Sequence, residues 1–67
     1  MWTVEKVKEE LPEIQVRLPM GETVTGHVRG RKKNFATIHL EGNVLDPFEC
    51  RWKTIANCLN NNKPVIY

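Results

Sequence analysis

The sequence predicts an α+β fold: a small antiparallel sheet of about five strands, with one helix before it and a second, short helix ahead of the last strand. Three observations carry the prediction. Apolar residues recur at helical spacing near the N-terminus and again after Arg51, they alternate with polar residues in between, and Gly, Pro and Asn gather where the period changes. With 67 residues there is room for one small domain, 1–67, in which 1–13 form the helical segment and 14–67 the sheet.

Residues 3–11 fit a short helix. Thr3 stands as its N-cap, Glu5 lies in the electropositive first turn, and Trp2 is placed to staple onto Val7. Val4, Val7 and Leu11 make its buried stripe, and Pro12 ends it. Ile14, Val16 and Leu18 then alternate with polar residues as a strand, and Leu18-Pro19-Met20-Gly21 suits a type I turn. A second strand over Glu22–Arg29 points Val24, Gly26 and Val28 inward and Thr23, Thr25, His27 and Arg29 outward. Gly26 within it marks a bulge, a bend or the close approach of another backbone.

Gly30 to Asn34 are expected to form a hairpin tip, followed by a strand with Ala36, Ile38 and Leu40 inward and Phe35, Thr37 and His39 outward. Glu41-Gly42-Asn43 turns the chain into a fourth strand over Val44–Cys50, interrupted at Asp46 and Pro47. From Arg51 to Asn60, Trp52, Ile55, Ala56 and Leu59 fall on one helical face; three asparagines end the run, and Pro64–Tyr67 form the last short strand.

The stretch Val16, Leu18, Gly21, Val24, Gly26, Val28 through Leu40 resembles the first three strands of the SH3-like small β-barrels, in the pattern of Sm-like, Tudor or KOW-type domains, and the likeness runs over about residues 14–67. Two features depart from it. An Sm-like loop after the second strand carries an acidic residue where this chain has Arg31, Lys32 and Lys33, and the helix before the last strand is longer than the usual single turn. The resemblance implies a binding module for nucleic acids or peptides and assigns no individual residue.

Charge is distributed unevenly along the chain. Residues 1–13 carry a net −2 from Glu5, Glu9, Glu10 and Glu13 against Lys6 and Lys8, whereas residues 14–40 carry a net +4 from Arg17, Arg29, Arg31, Lys32 and Lys33 against Glu22. Closely spaced cations on a hairpin suit phosphate, since they neutralise backbone charge and release counterions. The candidate nucleic-acid surface is therefore Arg29, Arg31, Lys32 and Lys33, with Arg17, His27, Phe35 and His39 beside it; ring stacking there would favour unpaired DNA or RNA. The same cations also suit a solvated turn that protects a sheet edge from aggregation, and Phe35 equally suits a place beneath a helix.

A different class of function is a protein-binding adaptor or inhibitor, of the kind that phage and plasmid genomes encode, acting through the N-terminal helix or a sheet edge. Trp2, Val4, Val7 and Leu11 would supply an apolar stripe, and the four glutamates a nucleic-acid mimic. Edge pairing would also allow a homo-oligomer. Catalysis finds no support: the chain has no serine, no glycine-rich phosphate loop and no HExxH. No cofactor is expected. His27, His39, Cys50 and Cys58 form a two-His, two-Cys set without the short ligand spacing of zinc modules, and both cysteines read as reduced core residues. No apolar run approaches the ~20 residues that cross a bilayer, and Met1-Trp2-Thr3-Val4-Glu5 opens no signal peptide, so no membrane association and a cytoplasmic location are expected.

Overall fold

In a computed structural model, which describes the backbone of all 67 residues and every side chain except that of Arg31, the alternating segments pair as one curled sheet. Helix α1 (Val4–Glu10) precedes strands β1 (Glu13–Arg17), β2 (Thr23–Arg31), β3 (Phe35–Leu40) and β4 (Phe48–Arg51); helix α2 (Trp52–Asn60) and strand β5 (Val65–Ile66) follow. The sheet order is β4-β3-β2-β1-β5.

Local chemistry sets the element ends. The Thr3 hydroxyl accepts from the Lys6 N–H at 3.2 Å, and Leu11, in the left-handed region at φ 47°, closes α1 by donating its N–H to the Val7 carbonyl at 2.9 Å. The Gly21 N–H donates to the Leu18 carbonyl at 2.9 Å, which closes the β1–β2 turn, and the φ of +94° at Gly21 is one that glycine adopts without a Cβ clash. Asn60 clamps the chain ahead of α1: its Oδ1 accepts from the Trp2 N–H at 2.7 Å, and its Nδ2 donates to the Trp2 carbonyl at 2.9 Å.

Three expectations are corrected. The sheet is mixed, because β5 runs parallel to β1, with Val16 opposite Val65 and Arg17 opposite Ile66. The reason is connectivity: α2 carries the chain from β4 on one edge across to β1 on the other, so β5 enters in the direction of β1. The fourth strand begins at Phe48, after a short 3₁₀ turn at Glu41–Asn43; Val44 and Leu45 lie exposed before it, and Asp46 and Pro47 separate them from the ladder. The second strand reaches Arg31, so the tip shortens to Lys32–Asn34. That extension comes through a register shift, in which Arg29 and Gly30 together oppose Thr37.

The two outer strands are not hydrogen-bonded to each other, and the sheet is a half-barrel. Tyr67 draws the edges together. Its N–H donates to the Arg17 carbonyl at 3.0 Å, its ring meets Phe48 edge-on at 4.9 Å between centroids, and its hydroxyl donates to the Asp46 carbonyl at 3.0 Å. Inside the curl, Ile14, Val16, Val28, Ala36, Ile38 and Leu40 pack with Val65 and with Trp52, Ile55 and Ala56 of α2, while Val7 brings α1 onto the same core. Among the described residues, no helix is long and apolar enough to cross a membrane.

Gly26 explains how tightly the strands close. A Cβ there would stand 2.8 Å from both Ile38 Cγ2 and Val16 Cγ2, so the glycine lets two branched side chains meet over β2. Replacing it with alanine is expected to cost about 1–3 kcal/mol through overpacking, read as a lower urea midpoint at unchanged m-value; an unchanged midpoint would contradict this close approach.

Candidate nucleic-acid interface

The hairpin tip is held from two sides. Trp52, 2% exposed, donates its indole N–H to the Lys32 carbonyl at 2.8 Å, and its backbone N–H donates to the Asn34 carbonyl at 3.4 Å. From α1, Lys8 donates its Nζ to the Lys33 carbonyl at 3.2 Å and lies 5.7 Å from the centre of the Trp52 ring. The Lys32 N–H donates to the Phe35 carbonyl at 3.1 Å and completes the turn. The side chains of Lys32, Lys33 and Asn34 are exposed, as a solvated turn requires, while the backbone of the tip is held by α1 and α2.

Anchoring the tip creates a cleft of about 250 Å³ between α1, the tip and the start of α2. Lys8, Lys33, Arg51 and Lys53 line it, with Val4 and Trp52 as its apolar walls and no acidic residue among its lining. Among the described residues, none of these four cations is paired with a carboxylate. The first turn of α2 adds no acid and its cap no side-chain acceptor, so beyond the Trp52 N–H bond to the Asn34 carbonyl no carboxylate offsets the partial positive charge of the helix start.

The residues expected from sequence divide into three groups. Lys33 lines the cleft, whereas Lys32 turns to Glu49 across the strands and forms an ion pair. Phe35 is half-buried on the outer face with the Arg51 guanidinium 5.0 Å from its ring centre, a cation–π pair that borders the cleft through Arg51. Arg29 is exposed at the register shift; Arg31 lies opposite Ala36 in the ladder, and its side chain is outside the described residues.

His27 and His39 sit directly opposite each other in mid-sheet, with His27 Nδ1 3.5 Å from Glu13 Oε2. They share a shallow depression with Arg29 and the Glu41–Asn43 turn. Arg17 pairs with Thr23, at the opposite end of β2 from the tip, and does not join the cluster.

Sequence reasoning missed Lys8, Arg51 and Lys53. Lys8 belongs to a segment of net negative charge, and Arg51 and Lys53 flank a tryptophan assigned to the core. The available signal was the Arg-Trp-Lys run at a helix start, with both cations pointing outward around a buried ring. The apolar stripe of α1 is engaged with the core: Val7 is fully buried and Trp2, Val4 and Leu11 pack against it. Among the described residues, no cluster of three or more His, Cys, Asp or Glu side chains is arranged to hold a metal ion.

Against known proteins, no family model matches the chain, and no curated protein or solved structure matches it either.

Burial, and secondarily the nearby Cys58, pushes the Cys50 thiol up from 9.0 to about 11. The fold therefore favours the neutral thiol. Its contribution to stability is fully present below pH 9 and is lost as the pH rises to about 11. Thermal melts across that window should show a smaller loss of Tm for Cys50→Ala than for the native chain; equal losses would contradict the burial assigned to the thiol.

Proposed function

We propose that this chain is a non-catalytic nucleic-acid-binding module, built on an SH3-like small barrel, that takes DNA or RNA at its basic hairpin. The observation that supports the reading best is the convergence of Lys8, Lys33, Arg51 and Lys53 on one cleft without a carboxylate among them. Cations that already have ion-pair partners must exchange them to bind phosphate, as Lys32 would have to release Glu49. Unpaired cations displace only water and counterions.

Binding begins with electrostatic capture of phosphates at the cleft and at Arg29. A base then has one stacking platform within reach, the Arg51 guanidinium lying on Phe35. A flat cation on an aromatic ring accepts any base face, so the contact adds affinity with little sequence preference. A duplex offers its bases only at its ends, which gives this platform its bias toward unpaired strands.

Fluorescence anisotropy with labelled single- and double-stranded oligonucleotides at about 50 and about 200 mM salt measures both parts. Tight binding to the single strand that weakens steeply with salt is the expected result. Replacing Lys33, Arg51 and Lys53 together with alanine should lower affinity at least about tenfold and flatten the salt slope by about two to three. Arg17→Ala should change little, because it lies at the far end of the sheet. Absence of binding at the lower salt, or a folded triple variant with native affinity, would overturn the assignment.

A further inference from the structure

The geometry points to a more specific ligand at the same cleft: we infer that it seats the terminal phosphate monoester of a nucleic-acid strand. This rests on the nucleic-acid reading above and adds to it the part of the strand that is bound.

Size comes first. At about 250 Å³ the cleft is smaller than the ~300–1,000 Å³ pockets that enclose whole drug-sized ligands, so it takes a chemical group and leaves the rest of the ligand outside. Its walls supply no acceptor side chain from an acid and four cationic donors, which selects an anion. Lys8 is already oriented. One of its three ammonium protons goes to the Lys33 carbonyl while the ring of Trp52 flanks the charge, leaving two protons for the ligand.

Charge comes second. A phosphate monoester carries about −1.5 to −2 at neutral pH and three acceptor oxygens, against −1 for each phosphate within a strand. Four cations from three separate segments, α1, the tip and the junction of β4 with α2, surround one small volume. That density suits a dianion better than a single internal phosphate.

Direction comes third. Beyond Val4 and Lys8, the next residues round α1 are Glu5 and Glu9, both exposed. A strand continuing past the cleft over α1 would run against these carboxylates. Leaving by Arg51, it meets the Phe35 ring and then passes Glu49, whose charge Lys32 neutralises, toward Arg29 on the outer face of the sheet, whereas Glu5 and Glu9 have no cationic partner among the described residues. The surface thus admits a strand from one side and stops it at the other, and a phosphate that lies where a strand stops is a terminal one.

The test compares labelled single strands of one sequence bearing a 5′-phosphate, a 3′-phosphate or hydroxyls at both ends, titrated by anisotropy against the native chain, Lys8→Gln, Lys53→Ala and Arg17→Ala. One phosphorylated strand should bind about tenfold tighter than the hydroxyl-ended strand. That preference should fall to about twofold or less in Lys8→Gln and in Lys53→Ala and persist in Arg17→Ala. Lys8→Gln keeps the side-chain stem; should it still unfold, the exposed Lys53 carries the comparison. Inorganic phosphate, followed by the shifts of the Trp52 indole and Lys53 amide signals, provides the second arm. Shifts from inorganic phosphate without any preference among the three strands would mean that the cleft holds the free ion, and would overturn the strand-end inference. Equal binding of all three strands with no phosphate-induced shifts would overturn it while leaving the nucleic-acid reading intact. No binding of any strand would remove both.

Discussion

Trp52 makes two demands, and one bond to the hairpin tip meets both. Its ring belongs in the core, where it packs with Ile55 and Ala56 of its own helix under the sheet, and its indole N–H must keep an acceptor there. A buried donor left without one costs about 1–3 kcal/mol. The Lys32 carbonyl is the acceptor, so the hairpin tip is drawn onto the start of α2 and stays there. The position of the cationic side chains follows from that bond. Lys33 is carried to the helix, Lys8 finds both the Lys33 carbonyl and the indole ring, and Arg51 and Lys53, the sequence neighbours of Trp52, line the same cleft.

The rest of the fold keeps the two partners of this bond at the right separation. Gly26 allows β1 and β3 to close over β2, which curls the sheet, and the register shift at Arg29 and Gly30 lengthens β2 toward α2. Tyr67 ties the far edge of the curl to Phe48 and Asp46, at the start of the strand from which α2 departs. Asn60 holds the other end of α2 to Trp2 and so fixes α1, with Lys8, beside the tip. Core packing and cation placement are in this sense one problem, solved by the same helix.

How much of this was legible in the sequence depended on the range of the interaction. Period, caps and turns are local, so α1 with its Thr3 cap, the Gly21 turn, the inward faces of β1 to β3 and the apolar face of α2 could all be read directly. The Val44 start of the fourth strand failed because apolar character alone does not make a ladder when Asp46 and Pro47 break it. The direction of β5 failed for another reason: two residues hold no information about which edge they will join, and the crossover of α2 decides it. The candidate site suffered most. Summing charge by segment assigned Lys8 to an acidic helix and left Arg51 and Lys53 out, although three distant segments meet around one tryptophan. Lys32, prominent in the sequence, is instead occupied by Glu49 from the neighbouring hairpin.

A tip pinned by Trp52 must be rigid in solution without any ligand, and backbone ¹⁵N relaxation at Lys33 and Asn34 measures this directly. Order parameters near 0.85, level with those of β2 and β3, are the result expected of an anchored turn. Values below about 0.6 at these two residues, in a chain whose strands remain rigid, would contradict the account, because a mobile tip cannot hold Lys33 in one cleft with Lys8, Arg51 and Lys53.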